Sequence, residues 1–162
     1  MKNYLLLLAV AATVSFTSCS KDDDDATPAK SKTEYLTASG WKVTSVTVDP
    51  AIDFDGDGTK ETDLLPFSQA CNLDDLTVFK TDQTYTEEEG ATKCDPNDPQ
   101  VYTTGTWAFS NNENTITLTE TGSTTPNSFT ITQLNDNTLQ YTESFTDPTD
   151  NVTYTVTITS SH

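Results

Sequence analysis
From Trp41 to the C-terminus, apolar and polar residues alternate with a period of two, and Thr, Val, Ile, Tyr and Phe dominate the alternating runs. Such spacing belongs to half-buried strands, whose successive side chains point to opposite faces, and not to helices. Eight strands are predicted, at 41–48, 75–80, 83–88, 103–110, 114–120, 128–133, 138–145 and 152–159. In the last, Val152, Tyr154, Val156 and Ile158 share one face, and Thr153, Thr155, Thr157 and Thr159 the other. By the same rule Trp107 with Phe109, Ile116 with Leu118, Phe129 with Ile131, and Leu139 with Tyr141 fall on buried faces. Only 33–39 offers a turn of helix.

The connections in the second half are short and carry the Gly, Pro, Asn or Asp that turn dihedrals need: Asn111-Asn112-Glu113, the stretch from Gly122 to Asn127, Asn135-Asp136-Asn137, and Asp147-Pro148-Thr149-Asp150. Short consecutive loops join antiparallel neighbours, so an all-β meander follows. Eight such strands either close into an up-and-down barrel or split into a two-sheet β-sandwich. Closure removes both exposed edges, and the run of simple hairpins lacks a Greek-key crossover, so the barrel is expected.

The first residues read as an address. Lys2 precedes an apolar stretch from Tyr4 to Phe16, shorter than the roughly 20 apolar residues of a membrane-spanning helix. The run Phe16-Thr17-Ser18-Cys19 resembles a bacterial lipobox with Phe in place of the usual Leu, which implies cleavage before Cys19 and a lipid on its sulfur. Residues 1–18 are then a signal peptide, 19–32 a lipidated acidic tether, and 33–162 one domain, long enough for a single core although only 33% of the chain is hydrophobic. The formal charge is −17 and there is no arginine, so phosphate backbones are repelled and nucleic acid is excluded as a partner. With Cys19 taken by lipid, Cys71 and Cys94 remain, and outside the cytoplasm they are expected to form a disulfide. Closing that loop contributes roughly 3 kcal/mol in the chain-entropy picture, and two separate buried thiols are the rival reading.

The segments Leu36-Thr-Ala-Ser-Gly-Trp-Lys-Val-Thr44, Cys71-Asn-Leu-Asp-Asp-Leu-Thr-Val-Phe79, Gly90-Ala-Thr-Lys-Cys-Asp-Pro96 and Gly105-Thr-Trp107 resemble the lipocalin-like lipoproteins of Bacteroidetes, over about residues 33–159. The resemblance implies a small up-and-down barrel or half-barrel with a disulfide, and little about chemistry. It also implies that Trp41 closes one end, as the tryptophan of the first strand does in lipocalins, a plain core tryptophan being the alternative. Cys19-Ser-Lys-Asp-Asp-Asp-Asp resembles the acidic export signal of lipoproteins displayed on the outer membrane of that group, which implies a lipid-anchored, surface-exposed protein.

The sharpest local motif is the stretch from Asp53 to Asp63, where acidic oxygens recur at every second residue and Gly58 permits a bend around a cation. Asp53, Asp55, Asp57, Thr59, Glu61 and Asp63 are the candidate calcium ligands. Leu64 stands where an EF-hand has its closing Glu, so a shorter extracellular-type loop of modest affinity is expected, an acidic solvent loop being the alternative. No organic cofactor is expected. His162 is the sole histidine, so no histidine triad or zinc cluster can be built, and acidic runs such as Glu87-Glu88-Glu89 read as solvated charge rather than a hydrolase pair. Glu143 is in phase with Leu139, Tyr141 and Phe145. It is expected to point inward as an orienting group, or else to reach water at a strand end. The expectation is a non-enzymatic barrel that binds a small apolar or amphipathic molecule with Trp41, Trp107, Tyr141 and Glu143. The alternative is an interaction module docking an envelope protein or glycan beside a calcium-stiffened loop.

Overall fold
The protein's structure, a computed structural model, describes residues 29–162, so the signal peptide, Cys19 and the aspartate run lie outside the described residues. One helix, α1 (Lys32–Leu36), precedes nine strands: β1 (Lys42–Ile52), β2 (Glu61–Asp63), β3 (Leu76–Phe79), β4 (Thr84–Glu88), β5 (Val101–Ser110), β6 (Thr115–Glu120), β7 (Asn127–Leu134), β8 (Leu139–Thr146) and β9 (Thr153–Ser161). All eight expected strands form. The first runs on past Val48 because Pro50 falls in the irregular stretch between the Thr47–Asp63 and Ile52–Glu61 pairs, where its missing N–H breaks no ladder. The ninth strand, β2, is a three-residue edge in the acidic loop, too short and too polar to show a periodicity.

The strands make one antiparallel sheet in the order β2-β1-β9-β8-β7-β6-β5-β4-β3. It is a single sheet and not two packed ones, and its ladder does not run round into a closed ring. The ring is pinned at one point: the Trp41 N–H donates to the Thr77 carbonyl (2.8 Å) and the Thr77 N–H to the Trp41 carbonyl (2.9 Å), tying the start of the first strand to β3. Elsewhere along that seam no ladder forms among the described residues.

Up-and-down connectivity puts alternate connections at opposite ends. One end carries the β3–β4, β5–β6 and β7–β8 turns together with α1, which a Ser31/Glu34 capping box starts. Lys32 Nζ donates to the Glu113 carbonyl (2.7 Å) and to Asn114 Oδ1 (3.1 Å), and Lys30 pairs with Asp136, so the helix is fastened across the β5–β6 and β7–β8 turns. Leu36 is fully buried there and packs in one cluster with Trp41, Phe79, Tyr85, Trp107, Ile116, Ile131 and Leu139. The Trp41 indole N–H donates to the Leu36 carbonyl at 2.8 Å, which satisfies the one polar atom of a ring otherwise buried in apolar surroundings.

The opposite end carries the 53–60 loop and the long β4–β5 connection, which the Cys71–Cys94 disulfide ties to the segment before β3 with a Cα–Cα distance of 5.2 Å. Asp74 shapes that connection: its carboxylate accepts the Ala91 N–H (2.8 Å), the Thr92 N–H (3.0 Å) and the Thr92 hydroxyl (2.7 Å). Its backbone comes so near Gly90 that a Cβ there would lie 2.3 Å from the Asp74 carbonyl oxygen.

Two outcomes test this packing. A Cβ on Gly105 would sit 2.4 Å from the Thr119 carbonyl oxygen and 2.5 Å from Tyr85 Cε1, so Gly105→Ala is expected to lower stability in urea unfolding by about 1–3 kcal/mol. The Thr92 hydroxyl and the Thr92 and Ala91 N–H groups hold the Asp74 carboxyl below its ordinary value of 3.8. Its contribution is therefore complete above that value and is lost as pH falls through the lower folded one. Hydrogen exchange at Ala91 and Thr92 is expected to accelerate over that acid range, and Asp74→Asn to remove the pH dependence.

Candidate functional site
The inner faces of the strands leave a cavity of about 110 Å³, lined by Trp41, Phe79, Ile116, Leu118, Phe129, Leu139 and Tyr141, with Thr77, Glu87 and Ser160 as its polar atoms. The volume is below the roughly 300 Å³ at which drug-sized ligand pockets begin and below the ~150 Å³ that admits benzene. Its size corresponds to a slender apolar group such as the end of an alkyl chain.

The structure brings two of the four sequence-derived wall residues to this cavity, Trp41 and Tyr141. Trp107 is placed behind the wall instead. It meets Phe79 edge-on (87°, centroids 6.0 Å apart) and Phe109 at 5.2 Å, and its indole N–H donates to the Lys80 carbonyl at 3.0 Å, so it fills the core toward the α1 end. Glu143 does not point into the interior but is exposed. The β7–β8 ladder ends at the Thr130–Thr142 pair, so beyond Thr142 the strand pairs only with β9 and its inward phase faces solvent. Burial, with the charges of Glu87 and Glu143 adding, pushes the Tyr141 phenol up to about 12.

Beside the cavity lies a recess of about 240 Å³ along the unladdered seam. This recess shares Trp41, Glu87 and Tyr141 with the cavity and reaches Asn72, Asp75 and Tyr102. Those last three also bound a cleft of about 400 Å³ beside the disulfide, whose other walls include Glu89, Asp98 and Pro99. The run Glu87-Glu88-Glu89 is thus not simply solvated charge. Glu87 lines the interior, Glu88 accepts the Thr86 hydroxyl (2.7 Å), and Glu89 is buried. Its phase with inward-pointing Tyr85 was the available signal.

In the 53–63 loop, one oxygen from each of Asp53, Asp55 and Glu61 lies within 4.8 Å of the others. Asp53 accepts the Gly56 N–H (2.8 Å) and the Gly58 N–H (3.1 Å), and Glu61 accepts the Phe54 N–H (3.0 Å), bonds that fold the loop around the group. The other candidates are not in that group. Asp57 Oδ1 accepts the Thr59 N–H (2.7 Å), which holds its carboxyl below the usual range, and Asp63 Oδ1 accepts the Leu65 N–H (3.1 Å) at the start of a 3₁₀ turn.

No curated protein matches the chain. Residues 36–141 match the family model of the lipocalin-like domain. That span takes in α1's last residue, every strand from β1 to β7 and the start of β8, and with them all the aromatic and aliphatic walls of the cavity. With two-thirds of its length matched and one antiparallel sheet wrapped about a tryptophan-centred core, the chain belongs to the lipocalin-like domain family.

Proposed function
We propose that this is a surface-tethered bacterial lipoprotein, akin to those of Bacteroidetes, whose barrel holds a small apolar or amphipathic molecule by its apolar end without transforming it. The observation that carries the reading is the seven-residue apolar lining of the cavity. Its small volume restricts the bound portion to a slender tail. Family membership supports binding as the role. A non-catalytic role is favoured by the position of His162, whose ring lies 3.9 Å from that of Trp41 and whose Nδ1 faces the Gly40 carbonyl at 3.1 Å, and which does not line the cavity.

The tether rests on the lipobox-like run ending at Cys19 and the acidic residues after it, which together favour the outer face of the outer membrane. Calcium is the proposed occupant of the 53–63 loop, held by Asp53, Asp55 and Glu61 with a structural role. A second reading, docking of an envelope protein or glycan, is favoured by one observation. Phe54 and Phe67 are both exposed beside that loop, with ring centroids 5.3 Å apart.

1-Octanol is expected to bind the protein, as followed by titration calorimetry. Leu118→Phe, which fills the cavity from β6, is expected to weaken octanol by about tenfold or more with little change in melting temperature. Equal octanol affinity in the variant would remove the barrel as the binding site. Millimolar calcium is expected to raise the melting temperature of the wild type and not of Asp55→Asn, as followed by circular dichroism.

A further inference from the structure
The cleft beside the disulfide holds a buried carboxylate with nothing to neutralise it. Glu89 is only 9% exposed, and its Oε2 has no hydrogen-bond partner among the described residues. Its backbone is fixed by the Gln100 carbonyl, which accepts the Glu89 N–H at 2.9 Å, so the side chain is held in the cleft wall. Asp75 and Asp98 line the same cleft. The nearest amine, Lys93 Nζ, donates to the Asp98 carbonyl (2.7 Å), and the sole ion pair among the described residues is Lys30 with Asp136, at the far end. An unpartnered buried carboxylate is a cost that folds rarely carry without a use. Burial, with Asp75 and Asp98 adding and Lys93 opposing, holds this carboxyl above the ordinary glutamate range.

We propose that the cleft seats the ammonium group of an amphipathic amine, with Glu89 as its counter-charge, Asp75 and Asp98 flanking it and the exposed Tyr102 ring as a wall. A bare metal ion fits less well. Among the described residues only Asp53, Asp55 and Glu61 bring carboxylate oxygens within 4.8 Å of one another, and a cleft of about 400 Å³ with an aromatic and a proline wall is shaped for an organic cation. The seam recess lies between this cleft and the barrel, sharing Asn72, Asp75 and Tyr102 with the one and Trp41, Thr77, Glu87 and Tyr141 with the other. A ligand's tail can therefore occupy the cavity while its head sits at Glu89; this part rests on the barrel reading above. Carboxylates along the whole path disfavour a fatty-acid anion of the same length.

The test compares octylamine, 1-octanol and octanoate on the full chain by titration calorimetry at neutral pH and low salt. Octylamine is expected to bind about tenfold or more tighter than octanol, and octanoate more weakly than either. Glu89→Gln, which removes the buried charge at constant shape, is expected to bring octylamine down to the octanol level while leaving octanol unchanged and the melting temperature no lower. The control Glu120→Gln, an exposed acid on β6, is expected to leave the amine preference intact, which separates the cleft from the general attraction of a −17 chain. Equal binding of octylamine and octanol by the wild type, or an amine preference that survives Glu89→Gln, would overturn the proposal and leave the barrel reading standing. Failure of octanol with retained, Glu89-dependent binding of 1,5-diaminopentane would instead sink the barrel reading and keep the ammonium site.

Discussion

Trp41 is where the architecture is tied together. Its two main-chain groups pair with Thr77 across the seam, its indole N–H holds the last carbonyl of α1, and its ring, 1% exposed, packs against His162 at the chain's end. Three stretches distant in sequence, the α1–β1 junction, β3 and the last residue, thus meet on one residue. Burying a tryptophan removes on the order of 150–250 Å² from water, worth about 4–6 kcal/mol by area. That gain depends on the indole N–H having a partner, since an orphaned donor in the core would cancel part of it. Leu36 supplies both the partner and the plug, because its carbonyl meets the indole while its side chain fills the barrel's end. The cavity wall and the unladdered seam exist in the space that this arrangement leaves.

Among the described residues, charge is handled chiefly by turns and hardly by ion pairs. Asp74, Asp82, Asp95 and Asp150 each accept backbone N–H groups a few residues onward or across the disulfide connection, and each carboxyl is held below its usual range, at Asp74 and Asp82 first by the Thr92 and Thr84 hydroxyls and at Asp95 and Asp150 first by those N–H bonds. A carboxylate used this way fixes a loop and needs no cation. Glu89 is the exception, shifted the other way by burial among like charges. The contrast separates acids that build the scaffold from one that the scaffold has no use for.

The strands were legible in the residues because a period of two is imposed by the pleat itself, and the turns because Asn, Asp, Gly and Pro stand at nearly every reversal. Positive φ at Asn111, Asn112 and Glu113 shows one such reversal in its left-handed form. The disulfide followed from counting cysteines, and half of the candidate wall, Trp41 and Tyr141, from phase. Phase alone misplaced Trp107, and for Glu143 it left open the choice between pointing inward and reaching water, which the exposed side chain decides for water. Phase tells which face a side chain takes but not how far along the barrel neighbouring strands still cover it: Trp107 lies behind Phe79, and Glu143 lies past the end of the β7 ladder. The acidic cleft was hidden for the same reason. Its walls come from three separate stretches, around residues 69–75, 89 and 94–102, which the disulfide, the Asp74 bonds to Ala91 and Thr92 and the Glu89–Gln100 bond bring together.

The fastening of α1 across the β5–β6 and β7–β8 turns also gives the molecule a direction. The chain enters the described fold at Ala29 and Lys30, on the plugged end, while the 53–60 loop, the disulfide connection and the cleft stand on the other. With the lipid anchor proposed above, the point where the chain enters the described fold and the carboxylate-lined cleft would stand at opposite poles of the domain.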